Sequence, residues 1–239
     1  AQEHLKIVNL GATAIGTTVT AAPGYPELAV KNLAELTGID FKNSEDLIAA
    51  TSDCGAYMTL SSAIKGLAVK MTKVCNDIRL LASGPRCGLK EINLPQLQPG
   101  SSIMPGKVNP VAAEVANQAS FLAIGLDTTV MLAASAGQLE LNVMEPVITF
   151  ALYTQMKVMT NACDTLRTKL VEGVTANTER CKDYVMNSIG IVTLLKPHFG
   201  YQKCAAIAKE GYTTGKSLHQ IVVDEQHLMT QAEWDATFN

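Results

Sequence analysis

The side chains best suited to chemistry are concentrated in one short loop. Residues 100–110 carry two hydroxyls, Ser101 and Ser102, followed by the ammonium group of Lys107 and the amide of Asn109. Lysine and asparagine donate hydrogen bonds that suit a carboxylate, and backbone N–H groups at a Gly/Ser turn add further donors. A serine hydroxyl beside such groups can act as a nucleophile or a general base when its alkoxide is stabilised.

The loop lacks the features of a serine hydrolase. Such an enzyme needs a Gly-x-Ser-x-Gly turn after a strand and a histidine partner, and this loop has neither the turn nor the strand. A plain surface turn is the simpler alternative for a segment rich in Gly, Ser and Pro. The spacing of the polar residues favours carboxylate recognition and proton transfer over acyl transfer.

Long helices must position this loop. Apolar residues recur every three or four positions from Ser44, a predicted N-cap, to Ser83, which predicts one helix of about forty residues. A second helix is predicted from Pro110 to about Ala136, with proline favourably placed in its first turn. A third is predicted over about 139–171, where Pro146 should bend it.

Shorter elements are predicted at both ends of the chain. A helix over Leu28–Leu36 lies between Pro26 and Gly38, and the preceding segment Gly11–Thr18 is a Gly/Thr-rich loop. That loop lacks the strand–GxGxxG–helix context of a phosphate-binding loop.

After residue 173 the predicted helices become shorter. Asn177 is a predicted cap for a helix over Thr178–Met186, and capping boxes are predicted at Ser217–Gln220 and Thr230–Glu233. The sequence therefore predicts an all-α protein with two domains. A long-helix bundle covers residues 1–173, and a small helical C-terminal domain covers residues 174–239.

Composition excludes several classes of protein. The chain has 239 residues, of which 47% are apolar and 5% aromatic, and its net charge is −3. The mixed charges predict no nucleic-acid partner, and no apolar run is long enough for a membrane span. The first residues do not resemble a signal peptide. The six cysteines form no C-x-x-C pair, so we expect no metal, no cofactor and no disulfide, and a reducing, cytoplasmic location.

The whole string from Gly100 to Pro110, GSSIMPGKVNP, resembles the signature loop of the fumarase/aspartase superfamily. Members of that superfamily catalyse reversible eliminations that yield fumarate. Four further segments resemble its aspartase branch more closely than its fumarases, namely residues 4–17, 50–57, 141–148 and 187–193. The segment Pro85–Gly88 resembles both branches equally.

The resemblance implies a role for each loop residue. Ser101 is the expected general base that removes the Cβ proton of L-aspartate, giving fumarate and ammonia through an aci-carboxylate intermediate. Lys107 and Asn109 are the expected ligands of the carboxylate that becomes this intermediate. The resemblance adds Ser102, Ile103 and Met104 as substrate contacts, and Glu114 as the partner of a catalytic-site histidine.

The resemblance also implies that the site is composite. Family enzymes are homotetramers whose active sites each take residues from three subunits, and this chain corresponds to the second half of such an enzyme. The expected histidine partner of Glu114 is not identified here, because His4, His198, His219 and His227 lie in other sequence contexts. We therefore expect the chain alone to be inactive.

Two alternatives remain open from the sequence. The first is a fumarate hydratase of the same superfamily. The second is a helical oligomerisation module without catalysis, against which the intact Ser101, Lys107, Asn109 and Glu114 argue.

Overall fold

The chain is described by a computed structural model that covers residues 1–238. It forms two compact units. The first comprises Ala1–Ser83 and Leu94–Val174, and the second comprises Gly84–Asn93 and the chain from Thr175 onward. The predicted all-α architecture is confirmed, since helices dominate both units and the strands are two residues long.

Three long helices form the bundle of the first unit: α3 (Gly55–Leu81), α4 (Val111–Ala134) and α5 (Glu145–Lys169). They follow α1 (Tyr25–Thr37), α2 (Ala49–Ser52) and a parallel strand pair, β1 (Ile7–Val8) and β2 (Lys42–Asn43). Short 3-10 helices cover Gln2–Lys6, Ala14–Gly16 and Val171–Gly173.

Small side chains form much of the core between the long helices. Helix α4 lies between α3 and α5 and buries Ala112, Ala113, Ala116 and Ala123 against Met71, Cys75 and Met159. Small residues at a helix contact allow the helix axes to approach closely. The core therefore fixes the start of α4, which follows directly from the loop.

The second unit has its own core. An antiparallel pair, β3 (Ile92–Asn93) and β4 (Thr175–Ala176), precedes α6 (Thr178–Met186), α7 (Lys196–Thr214) and α8 (Gln231–Phe238). A 3-10 helix covers Ile189–Leu195 and a π-helix covers Gln220–Glu225. The fully buried Leu195, Ile207, Ile221 and Val222 pack with Trp234.

The helix predicted over 44–83 is wrong, because the chain breaks it at Asp53. That residue is extended (φ −77°, ψ 119°), and its carboxylate accepts a hydrogen bond from the Gly55 N–H at 2.9 Å, where α3 begins. The predicted N-cap, Ser44, lies before α2, and its hydroxyl accepts a hydrogen bond from the Asp46 N–H at 3.3 Å. The Asp46 carboxylate instead accepts from the N–H groups of Ile48 and Ala49, each at 3.0 Å.

The helix predicted over 139–171 is too long at its start. Helix α5 begins at Glu145, so Pro146 lies in its first turn, where proline starts a helix without bending it. Buried Asn142 sets this start: its side-chain N–H groups donate to the carbonyls of Ala133 and Ala134, and its oxygen accepts from the Met144 N–H at 2.9 Å.

Several predicted helix ends are confirmed. Gly38 ends α1 in the left-handed conformation (φ 69°). Both capping boxes form, with Thr230 N–H donating to Glu233 at 2.8 Å and Ser217 N–H donating to Gln220 at 3.0 Å. Asn177 precedes α6 as predicted, but its side chain does not cap that helix. It donates to the Lys90 carbonyl instead.

A partly buried ion pair joins α3 to α4. Asp127 is 8% exposed, and its carboxylate accepts hydrogen bonds from Lys65 and from the fully buried Ser61, the latter at 2.8 Å. Burial alone would raise the pKa of Asp127, but the hydrogen bonds from Lys65 and Ser61 outweigh it and the pKa lies below its usual value.

We predict that Asp127→Asn lowers the free energy of unfolding of this chain by about 1–3 kcal/mol at pH 7, the usual value for a hydrogen-bonded charge. Because the folded pKa is depressed, the stabilisation is complete above about pH 4 and is lost as the pH falls through the folded value. Urea unfolding at pH 7 and pH 3 measures this. The control is Asp77→Asn, which removes the exposed Lys73–Asp77 ion pair on α3. Equal destabilisation by the two variants would contradict the prediction.

Candidate active site

The loop is tied to the rigid start of α4. Asn109 and Pro110 immediately precede the first residue of that helix, Val111. The next two residues, Ala112 and Ala113, are buried in the core of the first unit. The N–H groups at a helix start carry partial positive charge, which favours an anionic group nearby. The loop therefore presents its donors from a fixed element.

The two ends of the loop touch each other. The Asn109 side-chain N–H donates to the Gly100 carbonyl at 2.6 Å, and the Lys107 backbone N–H donates to the Met104 carbonyl at 3.4 Å. Gly100 lies so close to the Lys107 carbonyl that a β-carbon at Gly100 would be 1.8 Å from that oxygen. We call these contacts among Gly100, Lys107 and Asn109 the loop neck.

Ser101 lies just inside the loop neck, with its hydroxyl oxygen at the focus of two backbone donors. The N–H groups of Ile103 and Met104 both donate to Ser101 Oγ, each at 3.1 Å. Hydrogen bonds to an anion favour the anionic form. This arrangement can therefore stabilise a serine alkoxide, the form that a serine base requires. The sequence predicted backbone donors at this turn as ligands of a substrate carboxylate. In the structure, these two N–H groups donate to Ser101 Oγ.

The remaining loop side chains are exposed. Ile103 is 86% exposed and Met104 is 53% exposed, and Ser102 is also open to solvent. Lys107 is exposed and forms no ion pair within the first unit. These groups are therefore free to contact a substrate or another part of the protein.

Glu114 lies in the first turn of α4 and is half-buried. Its carboxylate makes no ion pair within the first unit, where His4 is the sole histidine. The structure thus brings Ser101, Lys107 and Asn109 into one loop and places Glu114 on the following helix. Within the first unit, no histidine pairs with the Glu114 carboxylate.

A separate cavity of about 530 Å³ lies at the beginning of α3. Its lining includes His4, Asp53, Tyr57 and Glu145. The helices α3 and α4 run antiparallel, since Ser61 contacts Asp127 while residues further along α3 approach the start of α4. The cavity is therefore at the opposite end of the bundle from the loop.

The electrostatic environment of this cavity is acidic. Burial raises the pKa values of Cys54 and Tyr57, and the charge of Glu145 raises both further. The sequence did not predict this cavity, because its lining comes from three segments that are distant along the chain. The nearby Gly11–Thr18 loop is a tight turn, where a β-carbon on Gly16 would lie 2.2 Å from the Leu47 carbonyl oxygen.

Neither a metal cluster nor a membrane span is found in the described residues. Across residues 1–238, no three His, Cys, Asp or Glu side chains are grouped to hold a metal ion. No helix in that range is long and apolar enough to cross a bilayer.

The long-helix bundle and the serine loop at the start of α4 lie in a chain that two protein families match. The family described as Lyase matches residues 1–125, and the family described as Fumarase C C-terminus matches residues 191–239. The chain belongs to the fumarase/aspartase superfamily of lyases.

Curated relatives are similar over nearly the whole chain. Aspartate ammonia-lyase of Escherichia coli K12 is 57% identical over 237 residues, which cover 99% of this chain and 49% of that protein. Aspartate ammonia-lyase of Helicobacter pylori 26695 is 52% identical and is matched over 51% of its length. The chain thus spans about half the length of the curated relatives it matches.

Solved structures share the fold. The fumarate lyase:delta crystallin of Brucella melitensis bound to cobalt is 41% identical with a TM-score of 0.93, covering 99% of this chain and 52% of that one. Class II fumarase from Schistosoma mansoni is 32% identical with a TM-score of 0.89, covering 98% of this chain and 52% of that one.

Proposed function

We propose that this chain is the part of an aspartate ammonia-lyase that carries its proton-abstracting loop. The single observation that carries the proposal is the pair of backbone N–H groups, from Ile103 and Met104, that converge on Ser101 Oγ. The identity of 52–57% to curated aspartate ammonia-lyases supports L-aspartate as the substrate.

In this proposal Ser101 acts as an alkoxide base. It takes the Cβ proton of L-aspartate, and the electron pair of that bond moves onto the adjacent carboxylate to form an aci-carboxylate. Collapse of this intermediate forms the Cα=Cβ double bond as the Cα–N bond breaks, which releases fumarate and ammonia. Ser101 then returns its proton to solvent.

Lys107 and Asn109 are proposed to bind the carboxylate on which the charge develops. The ammonium of Lys107 has no ion-pair partner within the first unit, and the Asn109 amide has a second N–H beyond the one that donates to Gly100. Preorganised donors aimed at developing charge usually give the largest single catalytic contribution. Ser102, Ile103 and Met104 are proposed to contact substrate as the loop closes and excludes water.

The proposal assigns the rest of the site to residues outside this chain. Glu114, half-buried and unpaired in the first unit, is proposed to hold a catalytic histidine from elsewhere in the assembly. Exposed apolar side chains on α4 and α5, including Phe121, Leu132 and Phe150, support burial of these faces by further copies in a homotetramer. The proposed location is cytoplasmic.

The test uses two chimeras, one for each branch of the superfamily. In the first, this chain replaces the matching segment of the E. coli aspartate ammonia-lyase. In the second, it replaces the matching segment of the S. mansoni fumarase. We expect the first chimera to convert L-aspartate to equimolar fumarate and ammonia, and the second to turn over L-malate at a far lower rate than the parent fumarase. Activity restored with L-malate alone, in the second chimera alone, would contradict the proposal.

A further inference from the structure

Gly100 is packed against the backbone of Lys107 more closely than any other residue type would allow. A β-carbon at this position would lie 1.8 Å from the Lys107 carbonyl oxygen and 2.4 Å from its carbonyl carbon. Both are backbone atoms, which cannot rotate away as a side chain would. Any larger residue must therefore push the two ends of the loop apart.

Asn109 holds the same ends together by a hydrogen bond. One of its two side-chain N–H groups donates to the Gly100 carbonyl at 2.6 Å, in a half-buried position. The loop neck thus closes residues 100–109 into a ring before any substrate arrives. Closing a segment in advance removes the cost of ordering it later.

Ser101 follows Gly100 directly, so the loop neck sets the direction in which the chain enters Ser101. The two donors to Ser101 Oγ come from Ile103 and Met104, two and three residues further on. The two N–H groups can both reach Ser101 Oγ only if the backbone from Gly100 to Met104 keeps this one conformation. If the loop neck opens, this backbone segment can adopt other conformations, and Ser101 Oγ then loses one or both donors.

We propose that Gly100 is a positioning residue, which activates Ser101 by allowing the loop neck to close. This proposal rests on the proposed role of Ser101 as the base. Gly100 itself contacts no reacting atom. Its effect passes through the neck to the Ile103 and Met104 amides.

A second glycine of the loop provides a matched control. Gly106 has φ +78°, and a β-carbon there would meet nothing within 4 Å. Gly106→Ala therefore strains the loop backbone but places no new atom between Gly100 and Lys107. Gly100→Ala opens the neck. A general disturbance of the loop would affect both variants, whereas the neck proposal concerns Gly100→Ala alone.

The first measurement uses this chain as it is and needs no activity. Hydrogen exchange followed by NMR reports the Ile103 and Met104 amides in the wild-type chain, Gly100→Ala and Gly106→Ala. We expect both amides to exchange about fivefold faster in Gly100→Ala, the effect of losing one ordinary hydrogen bond. Exchange in Gly106→Ala should stay within about twofold of wild type. Unchanged exchange in Gly100→Ala, or equal acceleration in both variants, would overturn the proposal.

The second measurement uses the aspartase chimera. Lys107 is the charged side chain within the loop, and it is retained in every variant. Loss of the amide donors raises the pKa of Ser101, so the rising limb of the kcat/KM profile should move to higher pH by about one unit in Gly100→Ala. KM for L-aspartate should change less than kcat/KM, because the side chains of Lys107 and Asn109 that bind the carboxylate are retained. An unshifted profile would overturn the proposal.

The two measurements separate this inference from the proposed function. An inactive wild-type chimera would contradict the proposed function, whereas the exchange rates of the isolated chain would still decide whether Gly100 holds the donors on Ser101.

Discussion

Ser101→Ala in the aspartase chimera is expected to lower kcat for L-aspartate by at least about a thousandfold, within the range of a lost general base. The Cβ proton is very weakly acidic, and the variant has no oxygen at the point where the Ile103 and Met104 amides converge. KM should change by less than about threefold, because Lys107 and Asn109 still bind the carboxylate. Steady-state fumarate formation gives both constants.

Ser102→Ala is the matched control for this variant. Ser102 carries the neighbouring hydroxyl, which is exposed to solvent and accepts no hydrogen bond from the Ile103 and Met104 N–H groups. Its loss should act mainly on KM, as expected for a substrate contact. A Ser101→Ala chimera with nearly wild-type kcat, or equal losses of kcat in the two variants, would show that Ser101 is not the base.

Lys107→Met is expected to lower kcat by about a hundredfold or more, the usual effect of removing one donor from developing negative charge. Methionine keeps much of the length of the side chain and removes its charge, so the change isolates the electrostatic contribution. The ammonium of Lys107 makes no ion pair within the first unit, so little folding stability depends on it.

The effect of Lys107→Met should appear mainly in kcat, because the carboxylate carries more charge in the transition state than in the substrate. Lys182→Met, on the exposed surface of α6, controls for the loss of one positive charge. If Lys107→Met raised KM and left kcat unchanged, Lys107 would bind substrate and transition state equally, and its proposed role would be wrong.

Much of the fold follows from local sequence signals. Gly38 at the end of α1, Pro110 before α4 and the two capping boxes are each decided within four residues of chain, and the structure confirms all of them. Helix lengths were less predictable. The spacing of apolar residues continues unchanged through Asp53 and therefore hides the break, where the Asp53 carboxylate accepts from the Gly55 N–H and a new helix begins.

Contacts between distant segments explain the remaining errors. The side chain of Asn177 suits a helix cap by type, but the Lys90 carbonyl in the paired segment takes its hydrogen bond instead. Asn142, rather than Pro146, decides where α5 begins, because its amide is held by the end of α4.

The candidate site was predictable as a set of residues but not as a geometry. The string from Gly100 to Pro110 identifies the loop, Ser101 and its proposed partners. The loop neck depends on a contact between the backbones of Gly100 and Lys107, and the identities of these residues do not reveal that contact. The same limit applies to the cavity beside Glu145, whose lining is assembled only when α3 and α5 pack together.

We infer that this chain supplies the base of an active site that residues outside the chain complete. The most direct test compares fumarate formation from L-aspartate by the purified 239-residue chain and by the aspartase chimera at equal concentrations. We expect no turnover above background for the chain alone and robust turnover for the chimera. Measurable turnover by the chain alone, or an inactive chimera that folds and assembles as its parent does, would contradict it.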